Sequence, residues 1–175
     1  DVYKRQNLYS PNIEIKKILT QNKINFTTHN NVFSYIARKL YDGKLIGWFQ
    51  GKMEFGHRAL GNRSILANPS TKNIKKIINE AVKFRETFRP FAPAILREDL
   101  ADWFEINTDS PYMLFVSNIK KHHQIKMNKD EEKLFGINKL NLKRSSIPAV
   151  THVDYSARIQ TVHKDTNQKF WELLN

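Results

Sequence analysis

A chain of 175 residues with 40% hydrophobic residues is long enough to form one domain with its own core. It contains no cysteine, which excludes disulfides, thiolate zinc sites and a cysteine nucleophile within this sequence. The 29 Lys and Arg residues against 17 Asp and Glu give a net charge of +12. This balance favours an acidic partner, which is a nucleic acid, a membrane surface or a polyanionic small molecule.

The first and last residues of the chain are not those expected at the ends of a complete domain. Residues 1–6, DVYKRQ, are interpreted as a translated sequencing adaptor and are left out of the fold prediction. Residues 7–175 are predicted to be one domain that is incomplete at its C-terminus, because the chain stops within a predicted helix. No apolar run approaches the roughly twenty residues of a membrane span, and no signal peptide precedes the first helix. We therefore expect a cytoplasmic protein without a membrane partner.

The first half of the chain predicts helices that alternate with single strands. Ser10-Pro11 is predicted to cap a first helix, and a short strand is expected at 26–29. Asn31 is predicted to cap a second helix that ends at Gly43. A buried strand at 44–49 and a strand at 64–67 follow. Ser70 or Thr71 is expected to cap a third helix that reaches Lys83 and has five apolar residues inward: Ile74, Ile77, Ile78, Ala81 and Val82.

The second half continues the alternation. Strands are predicted at 94–96, 113–119 and 149–153, with a short helix at 99–105. Residues 120–146 form a polar excursion rich in Lys and Asn. Helices that alternate with single strands predict an α/β fold with a mixed sheet.

The first candidate motif is GWFQGKMEFGHRALGNRSILANP at residues 47–69. Its glycines allow the backbone to turn sharply after a strand and to bring amide groups close to a ligand. Arg58 and Arg63 flank Gly61, and their planar guanidinium groups suit bidentate phosphate binding. A structural arginine pair, tied to backbone carbonyls or to Glu54, is an equal alternative from the pattern alone. The spacing matches neither a Walker A loop nor a Rossmann fingerprint.

The second motif is VKFRETFRPFAP at residues 82–93. Lys83, Arg85 and Arg89 alternate with phenylalanines, and two prolines prevent the segment from continuing as a helix. Aromatic side chains between cations can stack on a purine while the cations bind a triphosphate. In the alternative, the phenylalanines belong to the core and the cations pair with Glu80 and Glu86.

The third motif is THVD at residues 151–154, followed by Arg158. His152 and Asp154 alternate with Val153, so on a strand they share one face. There they are able to bind a metal, to orient each other or to hold ribose hydroxyls. A strand-end histidine whose hydrogen bonds are satisfied within the protein is the alternative, and no metal is assigned to the site.

Four blocks in this order resemble the C-terminal region of the ATP-dependent O-carbamoyltransferases, the family of the nodulation-factor and antibiotic carbamoyltransferases: GWFQGKMEFGHRALGNRSILANP, INEAVKFRETFRPFAPAIL, SPYM and IPAVTHVDYSARIQTV. The resemblance covers nearly all of residues 7–175. It implies a YrdC-like domain, built as a twisted mixed sheet with flanking helices. In the family this domain makes carbamoyl-adenylate from carbamoyl phosphate and ATP. It also implies a preceding actin-like domain in the same protein, with an iron site, that transfers the carbamoyl group to a hydroxyl of a small molecule or sugar.

The resemblance also implies roles for the candidate residues. Catalytic contacts to the phosphates fall to Lys83, Arg85 and Arg89. Carbamoyl phosphate, the adenylate or the nucleotide would be bound by Arg58, Asn62, Arg63, Ser64, His152, Asp154 and Arg158. Magnesium is expected to accompany ATP, bound chiefly through its phosphates. Iron is expected only in the preceding domain.

Three residues depart from the family's pattern. His57 stands where proline is usual, and Lys52 stands where arginine is usual. Tyr155 occupies the usual glycine of the HVDG turn. A glycine position with positive φ resists a bulky residue, so we expect strain at Tyr155.

Two other functions fit parts of the sequence. A YrdC-like module that only binds RNA or a nucleotide would fit the charge of +12. A relative of the threonylcarbamoyl-adenylate synthases would instead use threonine and bicarbonate. The four blocks resemble the O-carbamoyltransferases better, so nucleic acid is not the expected partner. The chain by itself is not expected to complete a carbamoyl transfer.

Overall fold

The computed structural model describes residues 12–140 and 142–175. The α-helices there are α1 Asn12–Gln21, α2 Val32–Tyr41, α3 Ile74–Ile78, α4 Leu100–Trp103, α5 Lys129–Glu132, α6 Gly136–Leu140 and α7 Gln168–Leu174. The strands are β1 Ile46–Phe49, β2 Arg63–Leu66, β3 Ala94–Leu96, β4 Val116–Asn118, β5 Ser156–Arg158 and β6 Gln160–Val162. A π-helical turn, Asn79–Lys83, continues α3, and 3₁₀ turns occupy Arg97–Asp99 and Lys121–His123. Over the described ranges, none of the helices combines the length and the apolarity that crossing a bilayer requires.

The strands pair two by two. β1 and β2 are antiparallel, with Trp48 opposite Ser64, and β4 and β5 are also antiparallel. β3 and β6 are parallel, with Ile95 opposite Thr161. Over residues 12–140 and 142–175 these pairs form three separate two-stranded sheets. The α/β class is confirmed. Both strand directions occur, as predicted for a mixed sheet, but among the described residues they lie in separate two-stranded sheets.

The second helix confirms the prediction from local signals. The side chain of Asn31 accepts a hydrogen bond from the Ser34 N–H at 3.0 Å, which satisfies one free donor of the first turn. Gly43 follows the helix with φ +78, the left-handed conformation that a glycine adopts without steric cost. The predicted cap of α1, Ser10-Pro11, lies outside the described residues.

The third helix differs from its prediction. It begins at Ile74, after Asn73 with φ +61, and neither Ser70 nor Thr71 caps it. Ile74 and Ile78 are buried as predicted. The other three apolar residues predicted to point inward, Ile77, Ala81 and Val82, are exposed. The π-helical turn adds about one residue per turn after Ile78, so Ala81 and Val82 no longer follow the α-helical period, whereas Ile77 lies on the exposed side of α3 itself.

Several strand predictions are corrected by the structure. Residues 26–29 form no strand, and residues 149–153 form turns and irregular backbone in place of a strand. The predicted strand at 113–119 shortens to β4. In β1 only Trp48 is buried, because the strand pairs with β2 alone and leaves one face open. The helix predicted at 99–105 is a 3₁₀ turn followed by α4.

The core consists of three apolar clusters. One lies between α4, β4 and β5 and contains Leu100, Phe104, Ile119, Ile147, Val150, Ala157 and Ile159. A second joins β1, β6 and α7 through Trp48, Val162, Phe170 and Leu173. The third is small and packs α3 against Ala149 through Ile74 and Ile78. Phe91 of the second motif contacts the first and third clusters, so it anchors that motif to the core.

Candidate functional site

A cavity of about 300 Å³ lies between the start of α3, the second motif, the segment after α6 and the third motif. We refer to it as the first cavity. Its lining is Lys75, Phe88, Pro90, Leu140, Arg144, Thr151, His152, Val153 and Asp154. The fold therefore brings two of the predicted site residues, His152 and Asp154, to one cavity together with two cations that the sequence pattern did not single out.

Arg144 supplies a buried positive charge at this cavity, with only 3% of its surface exposed. Its Nη1 donates to the carbonyls of Leu140 at 3.5 Å and Leu142 at 3.3 Å, and its Nη2 donates to the carbonyl of Lys139. These carbonyls lie at and just after the end of α6, so Arg144 contributes to capping that helix. Its Nε finds no acceptor among the described residues. A guanidinium stays charged in such a place, so the cavity wall is positive.

Lys75 is the second cation of the first cavity. Burial lowers the pKa of its ammonium, and the neighbouring charge of Arg144 lowers it further. Among the described residues no carboxylate forms an ion pair with Lys75. Two cations without a paired carboxylate give this part of the cavity a positive potential.

His152 and Asp154 meet through the hydroxyl of Ser156. Asp154 Oδ1 accepts from the Ser156 Oγ–H at 2.7 Å and from the Ser156 N–H at 3.0 Å. These two hydrogen bonds are the main reason that the pKa of Asp154 lies below its usual value. Because the Ser156 hydroxyl donates to Asp154, its oxygen accepts from Nδ1–H of His152, which lies 3.3 Å away. This assigns the proton of a neutral His152 to Nδ1 and leaves Nε2 as an acceptor.

The charge state of His152 follows from its surroundings. Burial lowers the pKa of His152, the carboxylate of Asp154 raises it and Arg158 lowers it, with a net decrease. His152 is therefore neutral at pH 7, and it lies within the electrostatic range of Arg158. Arg158 is on β5 and exposed.

The third motif forms a turn in place of the predicted strand. The N–H of His152 donates to the carbonyl of Ser156 at 2.8 Å, and the N–H of Tyr155 donates to the carbonyl of His152 at 3.2 Å. Tyr155 has φ +64, so the positive φ expected at this position is present. His152 and Asp154 do not alternate on one strand face, and the Ser156 hydroxyl brings them together instead.

The turn yields a test of strain at Tyr155. We expect Tyr155→Gly to have a higher free energy of unfolding than Tyr155→Ala by about 1 kcal/mol, since only a Cβ is penalised in the left-handed region. Both variants lose the hydroxyl that donates to the carbonyl of Ile125 at 3.2 Å, so this loss cancels in the comparison. Urea denaturation of the two variants measures the difference. An alanine variant as stable as the glycine variant would contradict strain at this position.

The second motif is organised around Asn79, a fully buried side chain in the π-helical turn. Its Nδ2 donates to the carbonyls of Thr87 at 3.2 Å and Arg89 at 2.9 Å, and its Oδ1 accepts from Arg85 Nε at 2.7 Å. The guanidinium of Arg85 also lies 5.0 Å from the centre of the Phe91 ring. Arg85 is thus held in place by neutral groups, which leaves its positive charge uncompensated.

The other two cations of the second motif are more exposed. Lys83 is the last residue of the π-helical turn, and within the described chain neither an ion pair nor a hydrogen bond holds its side chain. Arg89 forms an ion pair with Glu86 at 3.5 Å on the surface. This is the pairing that the sequence analysis gave as the alternative to phosphate binding. Phe84 is 85% exposed, so it does not belong to the core, unlike Phe91. The lining of the first cavity, which consists of described residues, contains none of the three cations of the second motif, Lys83, Arg85 and Arg89.

The first motif is organised around Glu54. One carboxylate oxygen, Oε1, accepts from the N–H groups of Leu60 at 2.8 Å, Asn62 at 2.8 Å and Arg63 at 3.1 Å. Burial raises the pKa of Glu54, but these backbone donors lower it by more, so the carboxylate is stabilised. The Glu54 carboxylate therefore holds the glycine-rich loop together. It binds backbone N–H groups that the sequence analysis predicted would be available to a ligand.

Arg63 is bound to backbone carbonyls, which was the alternative to phosphate binding in the sequence analysis. Its Nη1 donates to the carbonyls of Gln50 at 2.6 Å and Asn62 at 2.9 Å, and its Nη2 donates to that of Gly51 at 2.9 Å. The guanidinium lies 3.4 Å above the Phe49 ring. In contrast, no hydrogen bond or ion pair within residues 12–140 and 142–175 holds Arg58. Arg58 therefore remains the predicted phosphate-binding residue of this loop.

A second cavity, of about 350 Å³, lies beside this loop and is lined by Gln50, Gly51, Lys52, Asn62, Thr166, Asn167, Gln168 and Lys169. Asn62 Nδ2 donates to the carbonyl of Lys52 at 2.7 Å, and Asn62 Oδ1 lies 3.1 Å from Gln50 Nε2. Ser64 Oγ accepts from the Gly61 N–H at 2.9 Å. The predicted neutral binding residues, Asn62 and Ser64, thus shape the loop.

Removing the charge of Glu54 tests its role as the anchor of this loop. We expect Glu54→Gln to lower the free energy of unfolding by about 1–3 kcal/mol, because three hydrogen bonds lose their charged acceptor. The folded carboxylate has the lower pKa, so its contribution is present above the ordinary pKa of 4.5 and is lost as the pH falls below it. Urea denaturation at pH 7 and at acidic pH measures both effects.

Glu80→Gln provides the matched control for Glu54→Gln. Among the described residues the side chain of Glu80 forms an exposed ion pair with Lys76 at 3.9 Å and no other polar contact, so we expect the free energy of unfolding to fall by less than about 0.5 kcal/mol. Equal losses in the two variants, or an unchanged acid dependence in Glu54→Gln, would contradict the anchoring role.

Backbone contacts connect the three motifs. Gln160 Nε2 donates to the carbonyl of Leu60 at 2.8 Å, which ties the first motif to β6. The N–H of Phe91 donates to the carbonyl of Ala149 at 3.0 Å, which ties the second motif to the segment before the third. The parallel pairing of β3 with β6 reinforces this link. The three motifs therefore form one connected part of the fold. Of the three, only the third motif contributes titratable side chains, His152 and Asp154, to the lining of the first cavity.

Lys75, Arg144 and Ser156 are site residues that sequence reasoning missed. Lys75 stands in an apolar helical pattern beside Lys76, where a charge is usually a solvated face. Arg144 ends the segment rich in Lys and Asn, whose composition indicates solvent exposure. Only Ser156 had a usable signal, because it follows Asp154 by two residues, the spacing at which a side chain and a backbone N–H close a local turn.

Together the fold and the first cavity define a basic α/β domain with a positively charged cavity. Residues 37–175 match the family model described as "Carbamoyltransferase C-terminus". The chain belongs to that family and represents the C-terminal domain of the O-carbamoyltransferases, which confirms the resemblance seen in the four blocks.

The chain is also similar to several curated proteins, one of which is named as an O-carbamoyltransferase. The chain is 47% identical over 149 residues to the uncharacterized protein sll1178 of Synechocystis sp., covering 85% of this chain and 24% of that protein. It is 42% identical over 149 residues to nodulation protein NolNO of Sinorhizobium fredii, covering 83% and 19%. It is 36% identical over 140 residues to the 3'-hydroxymethylcephem-O-carbamoyltransferase of Amycolatopsis lactamdurans, covering 80% and 22%. The chain thus spans a quarter or less of the length of these relatives.

Proposed function

We propose that this domain forms carbamoyl-adenylate from carbamoyl phosphate and ATP, within a protein that transfers the carbamoyl group to a hydroxyl of a small molecule or sugar. The observation that carries the proposal is the first cavity, whose lining brings Lys75 and Arg144 together with neutral His152. Asp154 lies on the same lining, but no described carboxylate forms an ion pair with either cation. Both substrates are polyanions, and a site for them has to offset their mutual repulsion. Membership of the carbamoyltransferase family supports the carbamoyl donor.

The proposed reaction has two steps. Water cleaves carbamoyl phosphate into carbamate and inorganic phosphate. A carbamate oxygen then attacks the α-phosphate of ATP, the bond to the β-phosphate breaks, and pyrophosphate leaves. Holding the two anions in line is the main task of the protein, because neither step needs a protein nucleophile.

The described side chains divide this task. Lys83 and Arg85 carry charges that are not paired with carboxylates and are assigned to the phosphates of ATP. Arg58 and Arg158 are assigned to carbamoyl phosphate or the adenylate. Neutral His152 has Nε2 free to accept a hydrogen bond from the carbamate N–H or from the attacking water. Magnesium would be bound chiefly through the phosphates of ATP.

The proposal is tested by the release of pyrophosphate from ATP. Release is expected to require carbamoyl phosphate and magnesium, and to yield one pyrophosphate and one inorganic phosphate per carbamoyl-adenylate. Release without carbamoyl phosphate serves as the background. No release above this background would refute the function, and release that requires threonine and bicarbonate instead would assign the domain to the threonylcarbamoyl-adenylate synthases.

A further inference from the structure

Two adjacent lysines of α3 have different surroundings. The side chain of Lys76 is 62% exposed and lies 3.9 Å from the carboxylate of Glu80. Lys75 is half-buried and lines the first cavity together with the cation Arg144, whose charge lowers the pKa of Lys75. One lysine is thus an ordinary surface residue, and the other faces into a cavity toward a like charge.

The charges around Lys75 leave it uncompensated. The titratable and charged groups lining the cavity are Arg144, His152 and Asp154. Asp154 is an anion held by the hydroxyl and N–H of Ser156, but it forms no ion pair with Lys75, and His152 is neutral. Burying an ammonium beside a guanidinium costs free energy unless an anion lies between them. A bound anion would therefore offset the repulsion between Lys75 and Arg144.

The size of the cavity restricts the anion. Its volume of about 300 Å³ corresponds to roughly ten water molecules at their liquid density. This is room for a phosphoryl group with a small substituent and some water. The apolar part of the lining is Phe88, Pro90, Leu140 and Val153, whose side chains offer no hydrogen bond to an anion, so the cations provide its binding contacts.

We propose that Lys75 binds the phosphoryl group of a small phosphorylated substrate in the first cavity, next to His152 and within the positive field of Arg144. The Lys75 ammonium donates to phosphoryl oxygens, while Arg144 keeps its hydrogen bonds to the end of α6. If the proposed function holds, this substrate is carbamoyl phosphate, whose phosphoryl group Lys75 binds, while the phosphates of ATP are assigned to Lys83 and Arg85, which do not line this cavity. The identity of the substrate rests on the proposed function, whereas the phosphoryl site does not.

The test compares three variants at one helix: Lys75→Met, Lys75→Arg and Lys76→Met. Binding of inorganic phosphate, carbamoyl phosphate and ATP to each variant is measured by isothermal titration calorimetry, and circular dichroism checks the fold. Lys75→Met is expected to weaken the binding of inorganic phosphate and carbamoyl phosphate about tenfold or more, the usual effect of losing a charged hydrogen bond. Lys75→Arg is expected to retain most of the affinity, and Lys76→Met all of it.

The outcomes separate the two proposals. Equal phosphate affinities in Lys75→Met and Lys76→Met would overturn the phosphoryl site. A loss confined to ATP would also overturn it, since the cavity would then hold a nucleotide phosphate in place of a small phosphorylated substrate. Weaker phosphate binding in Lys75→Met, combined with no carbamoyl phosphate-dependent pyrophosphate release in the unaltered protein, would retain the site and refute the proposed function.

Discussion

Replacing Lys83 by methionine is expected to lower carbamoyl phosphate-dependent pyrophosphate release about a hundredfold or more. A single preorganised donor to a developing negative charge typically contributes 10²–10³ in rate. Lys83 ends the π-helical turn after α3 and is free of ion pairs among the described residues, so its ammonium is available to a ligand. The rate of release at saturating ATP and carbamoyl phosphate measures the effect.

The controls for Lys83→Met separate chemistry from folding. The side chain of Lys83 is exposed, so the free energy of unfolding is expected to change by less than about 0.5 kcal/mol. Lys76→Met removes a lysine from the preceding helix and is expected to leave release unchanged. Lys83→Arg retains the charge and should recover part of the rate. Release from Lys83→Met at the rate of the unaltered protein would remove Lys83 from the site.

Replacing Gly61 by alanine is expected to lower the free energy of unfolding by about 3 kcal/mol or more. Gly61 has φ +97, where a Cβ is strained, and this Cβ would lie 2.3 Å from Phe170 Cδ1. Phe170 is 1% exposed and packed in the core cluster of β1, β6 and α7, so its ring has little room to move. Backbone strain and overpacking therefore add.

Gly47→Ala is the matched control for Gly61→Ala. A Cβ at Gly47 would have no atom within 4 Å, so a change of less than about 0.5 kcal/mol is expected. The double variant Gly61→Ala/Phe170→Leu removes ring atoms from the clash and should be less destabilised than the sum of the two single variants. Urea denaturation measures all four proteins. Similar stability of Gly61→Ala and Gly47→Ala would disprove the close approach of the loop to α7.

Local signals predicted the elements whose boundaries depend on nearby residues. Asn31 and Gly43 correctly predicted the ends of α2, because a cap is formed within four residues of the helix end. The strands β1 and β2 were predicted to within two residues. The same reasoning failed at 149–153, where an apolar run was assigned to a strand. That segment packs against α3 and closes a turn through Ser156, which are contacts that periodicity does not encode.

In the candidate site, too, local sequence patterns identified the residues but did not distinguish their roles. Arg63 and Arg58 carry the same charge in one loop, and the sequence pattern offered phosphate binding and a structural role equally for both. Tertiary contacts distinguish them, because three carbonyls and the Phe49 ring surround the guanidinium of Arg63, while Arg58 is left without such partners among the described residues. Which arginine is held depends on where β1 and β2 bring Gln50 and Gly51.

The sequence by itself determined the family of this protein, the α/β class and the three motifs that carry positive charge, because ordered blocks and local patterns are read without knowing long-range contacts. Only the tertiary structure decided which charges converge. Lys75 lies in α3, and Arg144 lies far from it along the chain, in a segment whose composition indicates solvent exposure. The fold brings both residues to one cavity beside residues 151–154. The potential at a site depends on distances and burial, and these follow from the folded chain alone.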